Sequence, residues 1–209
     1  MTWQEELVAR LRLDLALTDV KPYGSSSSGE GVDGWSDLDV VVESTTHRDV
    51  EEVLGAPLWA WQEVREDDQR LRLVLRDGRR VDLRVDGTPL RLPAPPVDVS
   101  VRFDAALAAC RIGRGADLIG LHLLLGVLRE ALVQGMLLSD RDAGTTHHRA
   151  GTDEDRRAAA VAAVVARPLR AESAAEAYGL FGRWRAEVDA SYAADPSGLD
   201  AVLARGRGG

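Results

Sequence analysis

Between Gly24 and Val42 a small Gly-Ser run leads into Ser36-Asp37-Leu38-Asp39-Val40-Val41-Val42, where two aspartates one residue apart open an apolar, β-branched stretch. Such a stretch favours an extended strand. In a strand residues i and i+2 share a face, so Asp37 and Asp39 project side by side. Adjacent carboxylates repel unless a cation sits between them, and oxygen-only ligation suits Mg²⁺. The Gly-Ser run offers backbone N–H groups and hydroxyls to phosphate oxygens. The combination predicts a strand with a polar loop at its head, reading as a site for a metal–nucleotide complex.

Further on, Arg70–Arg76 and Arg79–Val85 alternate apolar and polar residues around Asp77-Gly78. A two-residue Asp-Gly turn would pair Leu73 with Asp82 and set leucines against the charged face. A three-residue loop, Arg76-Asp77-Gly78 with Gly78 left-handed, instead aligns Leu71 with Leu83 and Leu73 with Val81. One face then buries leucine and valine and the other carries Asp82. Asp86 lies on that same face four residues on and competes with Asp82, which is better centred in the apolar run.

The order Gly-Ser, Asp-x-Asp, apolar run and later strand aspartate resembles the signature of the DNA polymerase β-like nucleotidyltransferase superfamily, in which Asp-x-Asp binds two metal ions. The resemblance implies that Gly24, Ser25 and Ser36 belong to the nucleotide loop and that Asp37, Asp39 and Asp82 are the catalytic and metal-binding carboxylates. The Ser-rich loop is slightly longer than the family's commonest form, which leaves open which serine after Ser25 meets phosphate. Two Mg²⁺ ions and ATP as nucleotide donor are the implied cofactors. Asp82 is the first candidate to accept the acceptor's proton, with Glu130 and Asp104 as alternative bases.

The expected fold class is α+β: a small mixed sheet with helices over residues 1–92, a proline-rich linker at 93–98, and a helical substrate-binding or dimerisation domain over 99–209. Thr2 to Glu5 has capping-box spacing ahead of a helix to about Leu17. Strands are expected at Asp19–Tyr23, Leu38–Val42 and Leu58–Val64. A short helix capped by Thr45 or Thr46 should stop at Gly55. Helices are expected at about 99–112, 116–138, 152–166, 171–193 and 197–205. This layout is similar to that of the lincosamide and aminoglycoside nucleotidyltransferases.

Ser139 to Arg149 forms the loop between two of these helices. It is similar to a segment that some antibiotic nucleotidyltransferases carry there, and this implies nucleotide contacts for Arg141, His148 and Arg149. A capped structural loop is the competing reading. Adjacent His147 and His148 have no second cluster to complete a zinc site. His122 reads as a buried helix histidine, Trp35 as a wall of the pocket, and Trp59 with Trp61 as same-face strand packing. Arg156-Arg157 read as a solvated face, and Arg205 and Arg207 as a frayed tail.

The chain has 209 residues and 45% hydrophobic residues, enough for a sizeable core. The single cysteine, Cys110, excludes an internal disulfide and points to a reducing cytoplasm. No apolar run is expected to reach the roughly 18 residues of a membrane span. A net charge of −8 argues against nucleic acid as partner and favours a small cationic acceptor such as an aminoglycoside or lincosamide. The partners expected are thus a nucleoside triphosphate and that acceptor, with the helical domain as a surface for a homodimer. Two other classes remain open at this point: a toxin-type minimal nucleotidyltransferase modifying tRNA or protein, and a non-catalytic nucleotide-binding module.

Overall fold

The computed structural model describes residues 2–24, 33–145 and 151–208. It is α+β, with a five-stranded mixed sheet and a helical C-terminal region, as the sequence predicts. By internal contacts the chain divides into two units, Met1–Phe103 with Ala204–Gly209, and Asp104–Leu203.

In the first unit, helix α1 (Trp3–Leu13) starts from a complete capping box, Thr2 and Glu5 each closing on the other's backbone. Strands β1 (Leu17–Tyr23), β2 (Leu38–Ser44), β3 (Leu58–Arg65), β4 (Gln69–Leu75) and β5 (Arg80–Gly87) form one sheet in the order β1-β2-β5-β4-β3. Only β2 and β5 run parallel. The intervening helix α2 (Val50–Leu54) begins at Asp49 rather than at a threonine cap, and ends at left-handed Gly55. Thr45 is otherwise engaged, its hydroxyl donating to the Ala16 carbonyl at 3.2 Å.

The hairpin between β4 and β5 has the odd loop that parity requires. Leu71 faces Leu83 and Leu73 faces Val81. Gly78 is left-handed at φ 82°, and Leu75 closes the loop on Arg79 at 2.9 Å. Every even-numbered residue of β2 therefore joins every odd-numbered residue of β4 and β5 on one face. Leu38, Val40, Val42, Leu71, Leu73, Val81 and Leu83 pack there with Leu7, Leu11, Val50 and Leu54. Burying a leucine or valine of this kind is worth about 1.5–3 kcal/mol, so a one-residue slip would cost far more than any turn preference could return. Trp61 joins this core. A bulge between Leu58 and Ala60 breaks the alternation expected for the tryptophans. Trp59 is instead buried outside that cluster, with the Arg102 guanidinium 5.6 Å from its ring.

Helix α3 (Val99–Gly113) runs from the first unit into the second. The second unit holds α4 (Asp117–Ala143), a single 3₁₀ turn (Asp153–Asp155) with its own Thr152/Asp155 capping box, α5 (Arg156–Val165), α6 (Glu172–Val188) and the start of α7 (Ser197–Arg207). Leu124, Val127, Leu128 and Ala131 of α4 and Ala174, Ala177, Tyr178 and Phe181 of α6 repeat at three and four residues and are buried. By length and composition α4 could cross a membrane, its best 18-residue window having a mean hydropathy of 1.5. The expectation that no stretch approaches that length does not hold for this helix. Some 39% of that window is buried within the structure.

Two arginine readings change. Arg157 is not solvated: its guanidinium lies 5.1 Å from the Trp184 ring and meets Glu187 Oε2 at 2.5 Å. Arg205 is not in a frayed tail. It belongs to the first unit, where its guanidinium stands 5.4 Å over the Trp3 ring.

Candidate active site

The sheet face opposite the core is built in transverse rows. Tyr23 faces Asp39 across β1 and β2, Asp39 faces Asp82 across β2 and β5, and Asp82 faces Arg72 across β5 and β4. The next row places Lys21, Val41, Arg84, Arg70 and Val64 side by side. Asp37 immediately precedes β2, at the end of the sheet from which the Gly-Ser loop leaves after Gly24 and to which it returns at Asp33.

Asp82, not Asp86, is therefore the strand carboxylate beside Asp-x-Asp. Asp86 faces Glu43, four residues down the strand, or about 13 Å at 3.3 Å per residue.

Arginines hold two of the three carboxylates. Arg80, almost fully buried, donates from Nη2 to Asp37 Oδ2 at 3.2 Å and to the Trp35 carbonyl at 2.8 Å. Arg72 Nε lies 3.5 Å from Asp82 Oδ2, its guanidinium 5.5 Å from the Phe103 ring. Even so, the arginines do not offset burial and like charge at Asp39. Burial, reinforced by the charges of Asp37 and Asp82, pushes its carboxyl from 3.8 up to about 6. Burial first, and the neighbouring Asp37, also raise Asp82 against the opposing pull of Arg72 and Arg80. Tyr23 is raised by burial and by Asp39 and Asp82.

Gly24 is fitted to this row. It is left-handed at φ 61°, and a Cβ there would stand 2.7 Å from Asp39 Oδ2. Only glycine combines that backbone conformation with so close an approach. The Ser36 hydroxyl, expected at phosphate, is buried in a local turn, accepting from Asp33 N at 2.9 Å and donating to Asp33 Oδ1 at 2.9 Å. Trp35 packs against Gly206, where a Cβ would strike its ring at 2.2 Å. Ser25, His148 and Arg149 lie outside the described residues. Arg141 is in the second unit, its Nη1 donating to the Glu187 carbonyl at 3.0 Å.

The alternative bases also lie in the second unit. His122 is exposed rather than buried, and lines a hollow with Asp104, Gly126 and Arg129. Burial raises the Asp104 carboxyl, partly offset by His122 and Arg129. Glu130 is paired with Arg129 at 3.0 Å.

Among the described residues no three His, Cys, Asp or Glu side chains are drawn close enough to form a metal-binding cluster. The donor chemistry nevertheless fits a hard cation. All three groups are carboxylates, Asp39 and Asp82 share one sheet row, and the proton affinity of Asp39 is raised by burial first and then by the charges of Asp37 and Asp82. Arg72 and Arg80 are the groups such a cation would compete with.

Sequence reading missed Arg72 and Arg80, and with them Arg70, Arg84 and Tyr23. The signal was present for most of them. Once Leu71 is aligned with Leu83, Arg72 must face Asp82, and strand alternation puts Arg80 and Arg84 on the Asp82 face.

No known family profile matches the chain, and no curated protein is similar to it in sequence. Among solved structures the chain is similar to the crystal structure of an aminoglycoside 6-adenyltransferase from Bacillus subtilis. The similarity covers 100% of this chain and 98% of that one, at 9% identity and a TM-score of 0.33, too distant to bear on the chemistry of this site.

Proposed function

We propose that this protein is a nucleotidyltransferase that moves AMP from ATP to a hydroxyl of a small molecule, releasing pyrophosphate. The observation that carries the reading is the register that sets Asp39 directly beside Asp82, with Asp37 two residues away on the same face and Gly24 against Asp39. Asp39 and Asp82 oppose one another at a cost in repulsion and desolvation that a bound cation would offset.

Asp37 and Asp39 would hold Mg²⁺ together with Asp82. The bound cation supplies charge neutralisation for the oxygens that become negative during transfer. The chain's own residues do the rest. Asp82 accepts the proton of the acceptor hydroxyl. The freed oxygen forms a bond to the α-phosphorus as the bond from that phosphorus to the β-phosphate oxygen breaks, and pyrophosphate leaves. Arg80 fixes Asp37 by bridging it to the Trp35 carbonyl. Gly24 lets the loop start at van der Waals range of Asp39.

Whole-chain charge alone, −8, would favour a cationic small molecule of the aminoglycoside or lincosamide kind. ATP as donor rests on the resemblance of the motif. The test is transfer from triphosphates labelled at the α- or the γ-phosphate across a panel of aminoglycosides, lincosamides and phosphorylated sugars. Adenylyl transfer moves the α-label to the acceptor and the γ-label to pyrophosphate. Movement of the γ-label to the acceptor would instead make the protein a phosphotransferase.

A further inference from the structure

Beside Asp82 the sheet face opens into a cavity of about 550 Å³ lined by Tyr23, Val41, Val64, Arg70, Asp82 and Arg84. That is the size of a small-molecule pocket, roughly 300–1,000 Å³. Its floor is aliphatic, and the guanidinium groups of Arg70, Arg72 and Arg84 line it together with Tyr23 and the Asp82 carboxylate. Arg70 and Arg84 occupy directly opposed positions on β4 and β5, an arrangement of like charges that destabilises a strand pair. A nearly buried carboxylate holds them in place. Asp68 takes the Arg70 Nε at 3.1 Å and the Arg84 Nε at 2.7 Å, with Asp86 a second acceptor for Arg84 Nε at 3.2 Å. All of these contacts use Nε. The Nη edges, which present the paired donors that suit carboxylate and phosphate, are not consumed by them.

The position of this pair matters. The described ends of the Gly-Ser loop, Gly24 and Asp33, lie at the Asp37 end of the sheet, whereas Arg70 and Arg84 lie on the other side of the Asp39–Asp82 row. With the nucleotide's phosphates at the loop, the arginine pair falls on the acceptor's side. We infer that the acceptor carries an anionic group of the phosphate or carboxylate class, seated on Arg70 and Arg84, with its hydroxyl directed to Asp82. This rests on the nucleotidyl-transfer reading and replaces the cationic acceptor class. A net charge acts through solvent and is screened within about 8 Å at physiological salt, whereas selection is made by the groups in contact. Asp68 and Asp86 offset the two arginines, so the pair suits one anionic group on a small molecule rather than the run of phosphates along a nucleic acid.

The test is isothermal titration of the full-length protein with inorganic phosphate at pH 7.5, without Mg²⁺ or triphosphate. Saturable binding is expected, weakened at least tenfold in Arg84→Gln and in Arg70→Gln and much less in Arg84→Lys. A control change at exposed Arg156 (Arg156→Gln) should leave it unchanged. Absence of binding, or binding indifferent to both Gln changes, overturns the inference. A second titration adds a non-hydrolysable ATP analogue with Mg²⁺. Phosphate that still binds supports an acceptor seat. Phosphate displaced by the analogue assigns the arginines to the nucleotide's own phosphates and overturns the inference. Arginine-dependent binding of tRNA that excludes phosphate overturns it in favour of a macromolecular acceptor. Because these readouts need no turnover, loss of the nucleotidyl-transfer reading would appear separately, as phosphate binding without pyrophosphate release.

Discussion

Asp39 and Asp82 face one another across the parallel strands β2 and β5, so that two carboxylates from distant parts of the chain share one sheet row. On the proposed reading, the repulsion between them is what a bound cation would relieve. Asp39→Asn and Asp82→Asn each remove one charge and little volume. Each is expected to lower kcat by about 10²–10³, the effect typical of losing one electrostatic group at a reaction centre. Far-UV circular dichroism should stay unchanged. Steady-state kinetics at saturating Mg²⁺ checks this.

The Asp39 carboxyl titrates at about 6, above its ordinary 3.8, because burial and two like charges disfavour ionisation. The folded protein therefore holds this proton more tightly than the unfolded chain does. The stability it contributes is fully present below about pH 4 and is lost as pH rises through about 6. Asp39→Asn stays neutral throughout. In EDTA it is expected to exceed wild type in stability by about 1 kcal/mol at pH 7.5, a figure discounted for the half-exposed position, with the advantage vanishing near pH 4. Denaturant unfolding at the two pH values measures it, and a destabilised variant at pH 7.5 would contradict the electrostatic account.

A second pH effect follows from the same group with the opposite consequence. Mg²⁺ requires the ionised carboxylate, so its stabilising effect on Tm should be strong at pH 7.5 and should fade as pH drops below about 6. Thermal melts with and without Mg²⁺ across this range check it.

Arg80 links the Trp35 carbonyl to Asp37 from a nearly buried position. Arg80→Met keeps much of the packing and removes the bridge. Leaving a carbonyl and a carboxylate without this donor is expected to cost about 2 kcal/mol, within the range for lost hydrogen bonds to charged groups. The accompanying loss of activity should appear mainly in kcat, because the contacts of Arg80 are with Asp37 and the Trp35 carbonyl.

Gly24→Ala tests the close approach to Asp39. A left-handed alanine costs about 1–2 kcal/mol, and its methyl would lie 2.7 Å from Asp39 Oδ2. Stability should fall by at least that amount and the pH midpoint assigned to Asp39 should move. Unfolding at pH 7.5 and carboxyl titration by NMR report the two effects.

Much of this site could be read from alternation alone. Leucines and valines at every second position fixed both the face and the loop length, and so the pairing of Leu71 with Leu83 and the placement of Asp82 on the face opposite the core. What alternation cannot see is a break in itself. The bulge at Trp59 and the left-handed Asp19 in β1 are such breaks. The local use of Ser36 was equally hidden, because a serine before a strand serves a turn or a phosphate with the same atoms. His122 misled because an apolar helical run suggests burial all round, whereas α4 buries only part of its surface. The arginines opposite Asp37 and Asp82 follow from the register, which a search for carboxylates alone overlooks.

The central claim is that Asp37, Asp39 and Asp82 form a cation-dependent centre for nucleotidyl transfer. It is tested most directly by pyrophosphate release from ATP with Mg²⁺ and with EDTA, in wild type and Asp39→Asn, across cationic and anionic hydroxyl acceptors. The account predicts Mg²⁺-dependent release with at least one acceptor and a loss of about 10²-fold or more in the variant. Undiminished release by Asp39→Asn, or none from wild type with any triphosphate and acceptor, would contradict it.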